Sequence, residues 1–319
     1  MHRKLNNMFK KIINKFFSRF FYHLNSKIKT DYLIQNLFNS GHILAEGMRS
    51  KTIIENLTEV EFKVFSQFGE DGIIDWLINC LPDTLPKKFI EFGVADYEES
   101  NTKFLLMKRN WSGLIIEGNK EYADKIMDSD YFWKYDLDLI NTFIDSDNIE
   151  NLIQRKFSSD IGLLSIDIDG NDLWIWRNIK KISPVIVVIE FNSIFGDKIE
   201  VTTPYRDNFN RFKYHYSGLC FGASLQALIT TGKEKGYTFI GTGSYGVNGF
   251  FIKNEYLKYI DKRIKKFDYF LAKTRESRDV NGNLNYLNRE QALIEIGSLH
   301  LYNLKTNSMM EFKEIHNRD

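Results

Sequence analysis

The stretch of residues 87–119, KKFIEFGVADYEESNTKFLLMKRNWSGLIIEGN, constrains the fold of this chain more than any other segment. It opens with an apolar run, turns at Gly93, continues as a helical pattern and ends in a second apolar run that closes with Glu117. A strand, a tight turn, a helix and a second strand form a βαβ unit, which is the building block of nucleotide-binding sheets. The dinucleotide fingerprint G-x-G-x-x-G is not met, because Gly93 is a lone glycine in this turn.

The same alternation continues along the chain and predicts a doubly wound α/β sheet. Nearly continuous apolar runs such as LLSI and VIVVI are typical of parallel strands that are covered on both faces. The last two strands, YTFIGTG and GVNGFFIK, are too close in sequence for a parallel crossover and must therefore be antiparallel neighbours. The strands are predicted at KFIEFGV, GLIIEGN, YFWKYDL, IGLLSIDID and PVIVVIEFN, with helices at about 102–109, 119–128, 146–157, 171–179 and 222–236.

The chain divides into a principal domain and two flanks. Residues 1–61 form a basic, helical extension, residues 62–253 carry the α/β pattern, and residues 254–319 are predicted to form a helical C-terminal cap. A parallel sheet that is finished by an antiparallel hairpin is the signature of the Rossmann-like class I methyltransferase fold.

The N-terminal arm has a charge pattern of its own. Residues 1–30 carry eight Lys and Arg and no acidic residue, and apolar side chains recur there at helical spacing. A basic amphipathic helix over residues 1–29 can lie in a membrane interface; the alternative is a helix packed on the domain or on a second subunit of a homo-oligomer. No apolar run approaches the length that crosses a bilayer.

Bulk composition excludes some classes of function. The formal net charge is +1, which gives no global case for nucleic-acid binding. Cys80 and Cys220 lie far apart and outside metal-ligand spacing, so that a reduced, cytoplasmic setting fits the chain.

The lone glycine favours a ligand without phosphates. S-adenosylmethionine has none, and its sulfonium and ammonium groups attract carboxylates such as Glu91. Glu117, at a predicted strand end, can accept hydrogen bonds from both ribose hydroxyls, and Asp136, at the end of the third predicted strand, can meet the adenine amino group. As structural alternatives, Glu91 would cap the next turn and Thr102 the helix that begins there. The candidate cofactor-binding residues are Gln67, Glu91, Gly93, Asn101, Thr102, Glu117, Gly118, Asp136 and Asp167.

The segment SIDIDGNDLW carries three carboxylates beside the expected methyl group. Asp169 or Asp167 is the predicted general base, whereas Asp172 begins the next helix, where an acid is favoured by the helix dipole. His215 is a backup base. Oxygen ligands suit Mg²⁺, so a metal site is predicted from Asp169, Glu190 and Asn192, with a hydrogen-bonded structural cluster as the alternative.

A long connection after the fifth predicted strand is rich in aromatic and basic residues and predicts an acceptor-binding loop. Aromatic rings can stack on a sugar, and arginine can hold a phosphate or carboxylate. The candidate substrate-binding residues are Asn171, Glu190, Asn192, Tyr205, Arg206, Arg211 and Tyr214.

Seven segments in this order resemble the FkbM-like S-adenosylmethionine-dependent methyltransferases: FSQFGEDGII, FIEFGVADYEESNTKFLL, WSGLIIEGN, LLSIDIDGND, VVIEFNSIFG, FGASLQAL and GVNGFFIK. The resemblance covers roughly residues 62–253. It implies the Rossmann-like methyltransferase fold, S-adenosylmethionine as donor, and usually O-methylation of sugars or other small hydroxylated compounds.

The expected function is therefore that of a bacterial O-methyltransferase that acts on a hydroxyl of a sugar, nucleotide sugar or glycan precursor. The alternatives are an N-methyltransferase, an enzyme for a lipid-linked substrate, a catalytically silent binding module, and a nicotinamide oxidoreductase. The lone Gly93 and the terminal hairpin argue against the last of these.

Overall fold

A computed structural model describes residues 32–273 and 275–316 of the chain. The predicted basic arm of residues 1–29 lies outside the described residues, and its proposed membrane contact is not tested by the structure. In the described part of the chain, no helix is long and apolar enough to cross a membrane.

The central element is a seven-stranded sheet with the strand order β3-β2-β1-β4-β5-β8-β7, and a second sheet has the order β10-β9-β6. The strands are β1 Lys88–Phe92, β2 Ser112–Glu117, β3 Leu137–Asn141, β4 Leu163–Ile166, β5 Ile186–Glu190, β6 Val201–Thr202, β7 Tyr237–Thr242, β8 Asn248–Lys253, β9 His300–Asn303 and β10 Ser308–Glu311.

Helices cover both faces of the sheet, and further helices lie in the flanks and in the long connection. The helices are α1 over residues 32–49, α2 Glu70–Cys80, α3 Lys103–Arg109, α4 Lys120–Met127, α5 Asp130–Lys134, α6 Ile149–Gln154, α7 Asp172–Asn178, α8 Arg211–Tyr214, α9 Leu225–Glu234, α10 Arg289–Ile296 and α11 Phe312–His316, with 3₁₀ turns at Leu57–Val60 and Asn254–Tyr259.

Alternation along the strands explains the two-sided core. In β1, Phe89 packs into one buried cluster with α2 and α3, whereas Ile90 and Phe92 pack into a second cluster with α6, α7 and α9. Because successive side chains of a strand point to opposite faces, a strand buried on both faces has to be apolar at almost every position. This requirement explains the apolar runs in the sequence from which the strands were predicted.

The topology confirms the predicted fold class. Strands β1 to β5 pair in parallel, β8 is antiparallel to β5, and β7 is antiparallel to β8. Strand order reverses beside β1, since β2 lies on one side and β4 on the other. In open sheets of this kind, ligands bind in the crevice outside the carboxyl ends of the strands at such a switch point.

The third strand was predicted at the wrong residues. YFWKYDL lies mostly in α5, and β3 begins only at Leu137. The aromatic residues favour a strand by propensity, but the side chains of α5 are partly exposed and make a single turn that leads into the sheet.

The C-terminal cap is less helical than predicted. It contains α10 and α11, but the hairpin of β9 and β10 lies between them and pairs with β6 from the long connection. A separate buried cluster, which includes Phe195, Val201, Ile296 and Leu301, fastens that connection to the cap. The acceptor loop and the cap therefore form one structural layer over the edge of the sheet.

Gly93 is the tightest point of the fold. Its φ is +73°, and a Cβ placed there would lie 1.6 Å from the carbonyl oxygen of Asp167. Any side chain would therefore force β1 and β4 apart where both strands end.

We expect Gly93→Ala to lower the free energy of unfolding by about 1–2 kcal/mol for the left-handed backbone and by roughly 1–3 kcal/mol more for overpacking. Gly236→Ala is the matched control, because Gly236 has a φ of +82° but no atom within 4 Å of its added Cβ. Chemical denaturation of both variants checks this, and equal losses would show that backbone strain alone requires Gly93.

Candidate active site

A cavity of about 580 Å³ lies at the carboxyl ends of the parallel strands, and we call it the strand-end cavity. Gly93 follows β1, Glu117 ends β2, Thr142 follows β3, Asp167 follows β4 and Glu190 ends β5, and all of them line it. Five consecutive strands of the sheet therefore contribute to one crevice. Its volume falls within the range of small-molecule sites.

Charge in the strand-end cavity is mainly negative. Four acidic side chains, those of Glu117, Asp167, Asp169 and Glu190, line it against the single cation of Arg211. A cationic ligand is therefore favoured there over a phosphate-rich one.

Glu117 lies where the sequence predicted a ribose contact. Its carboxylate accepts a hydrogen bond from the Asn119 backbone amide at 2.7 Å, and burial raises its pKa. The ring of Phe143 packs over Gly118, where an added Cβ would lie 2.4 Å from a ring atom. Tyr122 completes this end of the cavity, which offers aromatic surface beside a carboxylate.

Asp136 does not reach the cavity, and its predicted adenine contact is wrong. It precedes β3, at the opposite edge of the sheet, and binds the Lys156 ammonium at 2.8 Å in an exposed ion pair. This ion pair and a hydrogen bond from Ser112 lower the pKa of Asp136. The error follows directly from the misplaced third strand.

Glu91 caps the turn that follows β1, which was the structural alternative to a contact with the cofactor. It is buried, and its carboxylate accepts hydrogen bonds from the backbone amides of Asn101 and Thr102 at 2.9 and 3.2 Å and from the Thr102 hydroxyl at 2.5 Å. Asn101 in turn donates its side-chain amide to Ser165 at 3.1 Å. These three predicted cofactor ligands lock β1 to the start of α3 and do not line the strand-end cavity.

Asp167 and Glu190 form the central carboxylate pair. One carboxylate oxygen of each, and one of Asp172, lie within 4.8 Å of one another. Among the described residues, the buried Oε2 of Glu190 has no hydrogen-bond partner. Burial, reinforced by the neighbouring carboxylates, raises the pKa values of Asp167 and Glu190 well above the ordinary range. Like charges this close favour a state in which the pair holds one proton.

Asp172 has a structural role within this group. It is fully buried at the start of α7 and accepts hydrogen bonds from the backbone amides of Ile168 and Gly170, both at 2.8 Å. Burial raises its pKa to about 6. These two bonds stabilise the turn after β4, which begins at Asp167.

Asp169 occupies a different position from the one predicted. Strand β4 ends at Ile166, so that Asp169 lies in the turn with a φ of +55° and a side chain that is 60% exposed. It lines the strand-end cavity and pairs with Arg211 at 3.2 Å.

The structure does not bring the predicted metal ligands, Asp169, Glu190 and Asn192, together as one site. Asn192 is buried, donates its side-chain amide to the carbonyl oxygens of Leu219 and Phe221 at 2.8 and 3.0 Å, and accepts from the Ile194 amide. The carboxylates that do converge are Asp167, Asp172 and Glu190.

A second cavity of about 490 Å³ lies between the sheet edge and the cap, and we call it the cap cavity. Gln67, Glu190 and Arg211 line both cavities and form their common wall. Gln67 is held in place through Asp71, whose Oδ2 accepts hydrogen bonds from the backbone amides of residues 64, 65 and 66 at 2.7, 2.7 and 2.8 Å.

Of the predicted acceptor-loop residues, Arg211 reaches both cavities, Asn192 lines the cap cavity and Asn171 the strand-end cavity. Asn171 also ties the loop down, since its side-chain amide donates to the Arg206 carbonyl oxygen at 2.7 Å.

The other predicted loop residues line neither cavity. The Tyr205 hydroxyl bridges the Ser146 amide and Asp207, Arg206 stacks on the Tyr214 ring, and the Tyr214 hydroxyl donates to the His300 carbonyl oxygen. His215 bonds to the Ser217 hydroxyl at 2.7 Å, and burial lowers its pKa. These side chains hold the loop together.

The sequence prediction missed several residues that line the cavities: Tyr122, Thr142, Phe143, Phe209, Phe212, Lys273, Arg275 and Arg289. Thr142 and Phe143 would have been found if the third strand had been placed correctly, because they follow its carboxyl end.

The sequence matches no protein-family model, and no curated protein matches it. Among solved structures, the carbon methyltransferase CurJ is 10% identical with a TM-score of 0.38, and the match covers 62% of this chain and 57% of CurJ. An O-methyltransferase from Bacillus cereus in complex with SAH is 17% identical with a TM-score of 0.32, covering 52% of this chain and 72% of its own.

The O-methyltransferase TomG from Streptomyces achromogenes, which is involved in tomaymycin synthesis and was solved with SAM, is 11% identical with a TM-score of 0.34; the match covers 67% of this chain and 78% of TomG. The fold class of this chain is assigned from its own strand order and strand pairing and does not depend on these matches.

Proposed function

We propose that this chain is an S-adenosylmethionine-dependent O-methyltransferase that methylates a hydroxyl of a sugar, nucleotide sugar or glycan precursor. The observation that carries the proposal is an acidic crevice at the switch point of the sheet, which meets a second cavity at Glu190, the partner of Asp167. The resemblance of the sequence to FkbM-like methyltransferases agrees with it.

The donor would occupy the strand-end cavity. Glu117 would accept hydrogen bonds from the ribose hydroxyls, and Phe143 and Tyr122 would offer apolar surface to the adenine ring. The negative charge of the cavity suits the sulfonium and ammonium groups. S-adenosylmethionine supplies an activated methyl group, so the protein has to align the acceptor and remove one proton.

The acceptor hydroxyl would approach from the cap cavity, with the Asp167–Glu190 pair as general base. As the new O–CH₃ bond forms and the S–CH₃ bond breaks with its electron pair moving to sulfur, the hydroxyl proton passes to the ionised carboxylate of the pair. A raised pKa makes a carboxylate a better base for an alcohol than an ordinary aspartate. Arg211, which is shared by both cavities, would orient the acceptor.

The alternative functions fit the site less well. A nicotinamide dinucleotide would bring its pyrophosphate into a crevice lined by four carboxylates. A silent binding module has no use for a partly buried pair of carboxylates that costs stability. An amine or lipid-linked acceptor would use the same donor site and is distinguished by the products of the reaction.

Glu117→Gln tests the donor site. We expect S-adenosylhomocysteine to bind the variant roughly ten- to a hundredfold more weakly than the wild type, because the amide loses charge-assisted hydrogen bonds to the ribose. Calorimetric titration measures this, with NADH as a second ligand and Asp136→Ala as the matched control at the other edge of the sheet. If Glu117→Gln binds like the wild type, or if NADH alone binds, the proposed donor is wrong.

Asp167→Asn tests the base. We expect turnover to fall by about 10²–10⁴-fold while affinity for S-adenosylhomocysteine stays near that of the wild type, since a neutral amide cannot take the hydroxyl proton. Transfer of labelled methyl groups to a panel of nucleotide sugars and sugar phosphates measures turnover. Asp169→Asn is the comparison and should lose much less, because Asp169 is exposed and paired with Arg211; an equal loss would move the base to Asp169.

Mg²⁺ is the other means of neutralising the carboxylate pair. Asp167 and Glu190 would hold it, with Asp172 as a third oxygen donor, and the unpartnered Oε2 of Glu190 fits a cation. When bound, the ion would lower the pKa of the acceptor hydroxyl.

We further propose that the enzyme is cytoplasmic and contacts the inner face of the membrane through residues 1–29. Along the described helix α1, Leu33, Leu37 and Leu44 are exposed at helical spacing, and they give the basic arm an apolar continuation.

Deletion of residues 1–29 tests this contact. We expect the shortened chain to sediment much less with anionic vesicles, because eight cations are lost, and to keep its affinity for S-adenosylhomocysteine, because the strand-end cavity is lined by residues between Gln67 and Phe212. Neutral vesicles serve as the control. Unchanged sedimentation with anionic vesicles would remove the membrane proposal.

A further inference from the structure

The cap cavity and the strand-end cavity carry opposite charge. The cap cavity is lined by four cationic side chains, Arg211, Lys273, Arg275 and Arg289, against the two acidic side chains of Glu190 and Glu276. The strand-end cavity has four acidic side chains against one cation. Two adjoining cavities of opposite sign favour two ligands of opposite sign.

Most of the cap-cavity cations are not neutralised by the protein. Arg211 pairs with Asp169 and Glu276 at 3.2 and 2.7 Å. Within residues 32–273 and 275–316, Lys273, Arg275 and Arg289 form no salt bridge with a carboxylate. Arg275 donates a hydrogen bond to the Tyr286 carbonyl oxygen, and Lys273 lies over the Tyr245 ring and interacts favourably with the charge of Glu61. Their charge is therefore only partly compensated, and the remainder can act on a ligand.

Backbone groups add to the positive potential. Helix α10 begins at Arg289, and its first residue and its N-cap, Asn288, both line the cap cavity. The helix dipole attracts anions to this end, although a capping box between Asn288 and Gln291 already satisfies the amides of both residues and Glu290 lies in the first turn. The contribution of the helix is therefore secondary to that of the cationic side chains. Three cations of the cap and this helix end thus face one cavity.

The cavity also has an apolar side. Phe68 lines it and is held by stacking on Tyr245, with ring centroids 4.2 Å apart and planes at 15°. Phe191 and Leu287 add to this surface. An acceptor with a flat or apolar face and an anionic group is therefore accommodated.

We propose that the cap cavity binds the phosphate group of a phosphorylated acceptor, such as a sugar phosphate or a nucleotide sugar, through Lys273, Arg275 and Arg289. The proposal rests on the proposed methyl-transfer function, which it deepens by assigning the anionic class of acceptor and the residues that select it. Phosphate on these cations leaves the remainder of the acceptor pointing to the shared wall, where Glu190 belongs to both cavities.

A carboxylate is the other anion that arginine and lysine bind. A diphosphate brings more charge and more acceptor oxygens to three cations that are spread around a cavity, so we favour phosphate. Pyrophosphate is therefore a suitable probe, because it carries this group without any particular sugar, and malonate is a dicarboxylate for comparison.

The test is calorimetric titration of the full-length protein, first with S-adenosylhomocysteine and then, in its presence, with pyrophosphate and with malonate. We expect pyrophosphate to bind more tightly than malonate. The double variant Lys273→Gln/Arg289→Gln should bind pyrophosphate about tenfold or more weakly, because two charge-assisted contacts are lost. Both side chains are exposed, so the substitutions are compatible with folding.

The matched control is Arg49→Gln/Lys258→Gln, which removes the same charge from exposed positions outside both cavities. Its affinity for pyrophosphate should equal that of the wild type. Absence of pyrophosphate binding, or an equal loss in the control, would overturn the anion site. Malonate binding as tight as that of pyrophosphate would overturn the assignment of phosphate. Failure of S-adenosylhomocysteine to bind would instead count against the proposed function, and the pyrophosphate titration would still decide the anion site.

Discussion

The close approach of Gly93 to the carbonyl oxygen of Asp167 is the constraint on which the rest of the structure depends. It brings the ends of β1 and β4 together at the position where strand order reverses, and no residue with a Cβ fits there. Since the chains leave these two strands in different directions, a crevice opens beside the contact. Both cavities, and the carboxylates between them, are placed relative to this point.

Several carboxylates of this fold differ in how many backbone amides they accept. Asp71, Glu91 and Asp172 each accept two or more backbone amide hydrogen bonds. Such bonds compensate for the loss of water and give these residues a structural role. Asp167 and Glu190 are partly buried and lie close to each other and to Asp172. In the described part of the chain, one buried oxygen of Glu190 has no partner, and the same holds for Oδ1 of Asp71, whose other oxygen accepts three amides. A cluster of carboxylates without backbone hydrogen bonds lowers the stability of the fold. Such groups are therefore candidates for a catalytic role.

Sequence patterns predicted the sheet well because its strands are buried on both faces and therefore apolar throughout. They placed Gly93, Glu117 and Asp167 at one edge, because strand ends in a parallel sheet converge there. They failed at Asp136, where an aromatic run was read as a strand although it forms α5.

Other site residues could not be predicted in this way. Glu91 could not be assigned to the helix cap without knowing where its carboxylate points. Arg211 precedes both cap cations, Lys273 and Arg289, by more than 60 residues in the sequence. The pairing of β6 with β9, a shared hydrophobic cluster and the Arg211–Glu276 ion pair bring their two segments into one layer.

The wall shared by the two cavities has a thermodynamic consequence. Glu190 and Arg211 belong to both, so a ligand in one cavity changes the charge and protonation that the other cavity offers. If the first ligand changes the affinity for the second by some factor, the second ligand must change the affinity for the first by the same factor. A cation in the strand-end cavity favours ionised Glu190, and in the proposed methyl transfer the loss of that positive charge would weaken this preference. The two sites are in this sense a single coupled electrostatic unit, in which the release of a ligand from one is tied to the occupancy of the other.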